Sequence, residues 1–135
     1  MIIELTNARS SIDRLMEGLD GFIDENKLAD KAGHQLRLCL DELLTNVISY
    51  GFDDGAEGRI SVELETDDKD VRVVMRDDGK PFNPFEETAA PDLDADVGDR
   101  DIGGLGVFFV TSTAREYSYE RENDQNIVRL ALNNE

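Results

Sequence analysis

Residues 60–77 read Ile60-Ser61-Val62-Glu63-Leu64-Glu65-Thr66-Asp67-Asp68-Lys69-Asp70-Val71-Arg72-Val73-Val74-Met75-Arg76-Asp77. Ile60, Val62 and Leu64 alternate with Ser61, Glu63 and Glu65, the period-two pattern of a strand with one buried face. Val71, Val73 and Met75 resume the alternation after the acidic turn Asp67-Asp68-Lys69-Asp70, so the pair predicts an antiparallel hairpin. Asp77 shares the parity of Val71, Val73 and Met75, which aims a carboxylate at the apolar face. Such a placement is costly unless something donates hydrogen bonds to it, and an amino group on a bound ligand would do so. The ordinary alternative is a frayed strand end where Asp77 already meets water.

Upstream of the hairpin the period is helical. Ile12, Leu15, Met16, Leu19, Phe22 and Ile23 recur at three and four residues after Ser10, and Ser10 or Ser11 is a plausible N-cap. A second helix runs from about Ala29 to Tyr50 with Leu36, Leu40, Leu43, Leu44 and Val47 on one stripe, and Gly51 is placed to stop it. Before both, Ile2, Ile3, Glu4 and Leu5 read as a short strand. Downstream, residues 79–103 hold Pro81, Pro84 and Pro91 with Asp92, Asp94, Asp96, Asp99 and Asp101. Unstructured loops beyond ~12–15 residues are usually functional or disordered. Gly103-Gly104-Leu105-Gly106 follows, then the apolar run Val107-Phe108-Phe109-Val110 that could open a helix. Two final strands carry Tyr117 and Tyr119, and Val128, Leu130 and Leu132, around the turn Glu122-Asn123-Asp124. Helices do not alternate singly with strands, which disfavours a doubly wound parallel sheet. The expected fold is α+β: a two-layer sandwich of a mostly antiparallel mixed sheet with helices on one face.

The 135 residues suit a single domain, 1–135. Acidic residues number 31 against 14 basic ones, a net charge of −17 that argues against nucleic-acid phosphates or an anionic membrane as partner. Hydrophobic residues make up 39%, enough for a globular core. Cys39 is the lone thiol, so no internal disulfide or zinc cluster is expected, and a reduced cytoplasmic setting fits. No apolar run approaches the ~20 residues of a membrane span. The N-terminal residues lack the basic region of a secretory signal. His34 reads as an exposed or capping helix residue, Cys39 as packing, and Phe108 and Phe109 as core. The aspartate-rich stretch lacks the glycine position and closing glutamate of a calcium loop.

Two further places carry chemistry. Glu42 and Asn46 stand four apart on a helix and flank its apolar stripe. A carboxylate and an amide at that border can reach a proton or a metal ion in a cleft, and one amide oxygen suffices for Mg²⁺, which keeps several waters. Gly103, Gly104 and Gly106 ahead of a helix leave backbone N–H groups free to face a phosphate. Each has a plainer reading alone: a charged helix flank and a flexible loop end. Neither a phosphate loop ending in Lys-Ser/Thr nor a dinucleotide fingerprint within a βαβ unit is present.

Together, in this order, the segments Leu40-Asp41-Glu42-Leu43-Leu44-Thr45-Asn46 with Tyr50-Gly51, Asp77-Asp78-Gly79-Lys80-Pro81-Phe82 and Ile102-Gly103-Gly104-Leu105-Gly106 resemble the asparagine box and two glycine boxes of the histidine-kinase-like (Bergerat) ATPase superfamily. Within it the chain resembles the small serine-protein kinase/anti-sigma factor family. The resemblance covers nearly the whole chain and implies ATP and Mg²⁺ as cofactors. Asn46 would help hold Mg²⁺, Glu42 would be the general base, and Asp77 would accept from the adenine amino group. Gly79 would admit the base, with Pro81 and Phe82 completing that box. Gly103, Gly104, Leu105 and Gly106 would line the phosphates beneath an ATP lid at about 86–103. Arg100, the only cation in that lid, would reach the γ-phosphate, where a guanidinium suits developing phosphoryl charge. Pro81 departs from the second glycine common in the wider superfamily. No phospho-acceptor histidine segment is present, and topoisomerase- or chaperone-type relatives need further domains.

The implied activity is phosphorylation of a Ser or Thr on an anti-anti-sigma (STAS-type) partner, with a sigma factor as the sequestered partner and a homodimer as the common assembly. The alternative is an ATP-binding adaptor that holds a regulatory partner without catalysis. The intact Glu42 weighs against it.

Overall fold

The computed structural model describes residues 1–87 and 102–135. In chain order the elements are β1 (Ile2–Thr6), α1 (Ser10–Asn26), α2 (Asp30–Tyr50), β2 (Arg59–Thr66), β3 (Asp70–Asp77), α3 (Pro84–Glu87), α4 (Ile102–Thr113), β4 (Glu116–Glu122) and β5 (Gln125–Asn133). The five strands form one sheet in the order β1-β2-β3-β5-β4, and each pairing is antiparallel. The α+β layer expected from the sequence is therefore present, with no parallel pair among the described strands.

The core follows the two periodicities. Ile60, Val62 and Leu64 of β2 and Val71, Val73 and Met75 of β3 are buried on one face, together with Val128, Leu130 and Leu132 of β5. Against them lie Leu15 and Leu19 of α1 and Leu36, Leu40, Leu43, Leu44 and Val47 of α2. Removing one such leucine side chain to alanine would cost roughly 2–5 kcal/mol, because the loss includes both transfer energy and the residual cavity. Cys39 is fully buried among them, and burial pushes its thiol up to about 12, so it is inert packing. His34 is exposed.

The turns obey local chemistry. Asp67 accepts from the N–H groups of Lys69 and Asp70, each at 2.8 Å, and closes the β2–β3 hairpin. Asn123 and Asp124 take positive φ values of 53° and 61° in the two-residue β4–β5 turn, a conformation these side chains tolerate.

Four expectations need correction. Ser10 and Ser11 do not cap α1: Arg9 holds the N-cap position without a side-chain bond. Ser11 is buried, and its Oγ accepts from the N–H of Thr6 at 3.1 Å, tying off β1 instead. Phe108 is not core but 46% exposed, whereas Phe109 packs against the core. Residues 79–103 are not wholly irregular, since α3 forms within them. Finally, α4 begins at Ile102, not at the apolar run, so Gly103 and Gly104 belong to its first turn. Packing of α4 on α2 outweighs the poor helix propensity of glycine there.

Candidate active site

The site is assembled where the C-terminal half of α2, the end of β3 and the start of α4 come together. The leucine stripe of α2 faces the sheet, and this turns Glu42 and Asn46 to the border of the buried surface. Asn46 is buried, and its Nδ2 donates to the carbonyl of Glu42 at 2.7 Å. That bond fixes the amide and leaves Oδ1 without a partner among the described residues. Glu42 is half-buried. Burial raises its carboxyl above the usual glutamate range, and the neighbouring Asp41 raises it further.

Gly106 of α4 lies against that carboxylate. A Cβ on Gly106 would collide with Oε2 and Cδ of Glu42 and sit 2.9 Å from its Cγ. The helix carrying the third glycine segment is thereby packed onto the acidic side chain of the first segment. Gly103, Gly104 and Leu105 fall in the opening turn of α4, whose backbone N–H groups have no carbonyl four residues back within the helix. Anionic groups are favoured at such a terminus.

Asp77, at the end of β3, is 3% exposed, as its parity with Met75 requires. Its Oδ1 accepts from the N–H of Gly79 at 3.0 Å and from Nδ2 of Asn126 at 2.9 Å. No donor among the described residues reaches Oδ2. Burial raises the Asp77 carboxyl above the usual aspartate range, and the bonds from Asn126 and Gly79 oppose that rise.

The turn after Asp77 is docked onto the end of α2. Lys80 N–H donates to the carbonyl of Gly51 at 2.9 Å. A Cβ on Gly79 would collide with that same carbonyl and stand 2.9 Å from Asp77 Oδ1. Gly79 does not have a positive φ, so it is close approach that demands glycine here. Phe82 is buried, and its ring stacks on Tyr50 with centroids 6.0 Å apart. Pro81 beside it is exposed.

Asn126 was not singled out by the sequence. It is 1% exposed and lies opposite Asp77 in the β3–β5 ladder. Its Oδ1 accepts from Phe82 N–H at 3.2 Å, Tyr119 Oη at 2.5 Å and Arg121 at 3.2 Å. Its Nδ2 donates to Asp77 and, at 2.8 Å, to the carbonyl of Lys80. Arg121 also donates to the carbonyl of Gly79 at 2.8 Å. The one sequence signal is an uncharged polar residue in phase with Val128, Leu130 and Leu132, on a strand face that is otherwise aliphatic.

Glu42, Asn46, Asp77, Gly79, Phe82 and Gly106 are thus gathered by three neighbouring segments. Arg100 and residues 88–101 of the expected lid lie outside the described residues. The donor set suits a purine nucleotide with its cation. Among the described residues a buried carboxylate keeps one unbonded oxygen, an amide oxygen has no partner, and a helix N-terminus carries glycines. Among the described residues no group of three or more His, Cys, Asp or Glu could hold a metal by itself. One amide oxygen would therefore have to share the ion with ligand oxygens and water. No described helix is long and apolar enough to cross a membrane.

Comparison with known proteins identifies the family. The family described as "Histidine kinase-like ATPase domain" matches residues 5–132. A serine/threonine-protein kinase, BtrW of Bordetella bronchiseptica, is 28% identical over 95 residues, covering 70% of this chain and 66% of that protein. An anti-sigma F factor of Clostridium novyi is 24% identical over 97 residues, covering 72% of this chain and 66% of the other. The alignments thus span just under two thirds of these relatives' own lengths. The histidine kinase domain of an Erythrobacter litoralis blue-light activated histidine kinase has a similar fold, with a TM-score of 0.55 at 19% identity, over 93% of this chain and 60% of that one.

Proposed function

Since the chain belongs to the histidine kinase-like ATPase domain family, we propose that it is an ATP- and Mg²⁺-dependent serine/threonine protein kinase serving as an anti-sigma regulatory factor. Its substrate would be an anti-anti-sigma protein of the STAS type, its sequestered partner a sigma factor, and its setting the cytoplasm. Residues 1–135 would form one ATPase domain, with a lid at about 86–103 that includes Arg100, and the protein would act as a homodimer.

The observation that carries this reading is the packing of Glu42 against Gly106. It sets a carboxylate of raised proton affinity beside the helix whose first turn offers N–H groups to phosphate. An adaptor has no use for a base at that place.

When bound, ATP with Mg²⁺ supplies the transferable phosphoryl group and neutralises its charge. Asp77 would accept a hydrogen bond from the adenine amino group through Oδ2, and Gly79 would leave room for the ring. Pro81 and Phe82 would shape the wall of that pocket. Asn46 Oδ1 would be the protein's ligand to Mg²⁺. Gly103, Gly104 and Leu105 would direct backbone N–H groups at the phosphates, Gly106 would line them without a side chain, and Arg100 would approach the γ-phosphate. Glu42 would remove the proton from the acceptor hydroxyl as that oxygen displaces ADP at phosphorus.

The test is incubation with ATP, Mg²⁺ and a STAS partner, read by intact mass. One phosphoryl group should be gained with the natural chain and none with Glu42→Ala, which should still bind ATP. Nucleotide binding without any mass gain in the partner would favour the adaptor.

A further inference from the structure

The amide of Asn126 is saturated. Its oxygen meets three donors, Phe82 N–H, Tyr119 Oη and Arg121, and its nitrogen donates to two acceptors, Asp77 Oδ1 and the Lys80 carbonyl. An amide has two N–H donors, and both are used. Nothing is left over with which Asn126 could itself address a ligand. Its contacts come from three places: the end of β3, the turn at 79–82 and the edge strand β4.

We infer that Asn126 is a positioning residue for base selection: it occupies Asp77 Oδ1, so that Oδ2 alone is presented to the purine, and it ties that carboxylate to Tyr119 and Arg121 of β4. The inference rests on the adenine role proposed for Asp77 and goes beyond it. It assigns selectivity to a residue that does not touch the ligand. Among the described residues, two donors on Oδ1 leave the carboxylate a single open acceptor, in a fixed plane. Without Asn126 the carboxylate could rotate about its Cβ–Cγ bond and offer either oxygen. Its ionised form would also lose a hydrogen bond. The charges acting on Asp77 are those of Arg121 from β4, which lowers its proton affinity, and Asp78, which raises it. Tyr119 and Arg121 hold the amide from flipping, since a flipped amide would turn N–H groups toward their own donors.

The experiment compares ATP with purine riboside triphosphate, which bears hydrogen in place of the 6-amino group. Binding is measured by calorimetry with Mg²⁺ between pH 5 and 8, for the natural chain and for Asn126→Leu, Tyr119→Phe and Arg121→Gln. The natural chain should prefer ATP by about tenfold or more, as a site built around a hydrogen bond does. Asn126→Leu should bring that ratio toward one and move the acid limb of ATP binding to higher pH. Tyr119→Phe, which leaves Asp77 untouched, should shift both in the same direction by less, and Arg121→Gln, which also removes a charge that lowers the proton affinity of Asp77, is read on the nucleotide ratio alone. They also decide the matter if Asn126→Leu does not fold. A purely structural Asn126 would lower melting temperature and leave ratio and pH limb unmoved, and that result overturns the inference. If the natural chain itself does not distinguish the two nucleotides, the adenine role of Asp77 fails instead.

Discussion

Gly106 faces the Glu42 carboxylate across the α2–α4 contact with no space for a methyl group between them. The two residues lie 64 positions apart in sequence and belong to segments that approach only in the folded chain. The proposed base and the proposed phosphate-binding helix therefore share one boundary.

Gly106→Ala should displace the Glu42 carboxylate, because the collision is with the far end of a flexible side chain that can swing aside. The fold should survive. Phosphoryl transfer to a STAS partner should fall by roughly tenfold to a hundredfold, the scale of a misplacement near 1 Å. Single-turnover kinetics should show this loss in the transfer step more than in ATP affinity. An unchanged transfer rate would mean that Glu42 works from another position.

Gly79→Ala should behave differently. The new methyl would meet the backbone carbonyl of Gly51, which cannot rotate away. The turn at 79–82 must lift off α2, at a stability cost of about 1–3 kcal/mol. Urea denaturation should report that loss, and ATP binding should weaken with it. A variant as stable as the natural chain would contradict the close approach seen here.

Asp77→Asn should separate stability from binding. Burial raises the folded-state proton affinity of Asp77. For this group, the folded state therefore binds a proton more tightly than the unfolded state. Its favourable contribution is fully present below the unfolded-state value and is lost as pH rises through the folded-state value. An amide keeps an oxygen facing Gly79 and Asn126 while removing the buried charge. The variant should melt at the same or a higher temperature than the natural chain at pH 7.5. The gap should close as the solution is acidified toward the ordinary aspartate range. ATP affinity at pH 7.5 should drop by about tenfold. Equal ATP affinity would remove the adenine contact.

Glu42 gives a kinetic signature. A base must be deprotonated to act, and burial followed by Asp41 raises the affinity of this carboxylate for its proton. The rate of transfer at saturating ATP should fall on the acid side with a midpoint above the usual glutamate range. Asp41→Asn should move that midpoint down, because a like charge is removed. A midpoint indifferent to Asp41 would point to another titrating group.

The parts legible in the sequence were those set by local periodicity. The stripe Leu36, Leu40, Leu43, Leu44 and Val47 oriented α2, and strand parity alone placed Asp77 inside. Asn126 escaped because its meaning depends on pairing. β5 lies beside β3, with β4 displaced to the edge, so Asn126 meets Asp77 across 49 positions that no short window joins. Ser11 and Phe108 depart from the sequence expectation for a related reason. A serine near a helix start reads as a cap, yet this one bonds back to Thr6, and an apolar run within a helix cannot place every side chain inward. The start of α4 was misplaced because glycine breaks isolated helices, whereas contact with α2 supports one here.

The strand order has a bearing on synthesis. Asp77 leaves the ribosome well before Asn126, and β3 has only β2 beside it until β5 arrives. A nascent chain that ends short of β5 lacks the neighbour that completes the proposed purine pocket. Nucleotide can then reward only the closing stage of folding, after the final hairpin has inserted β5 between β3 and β4.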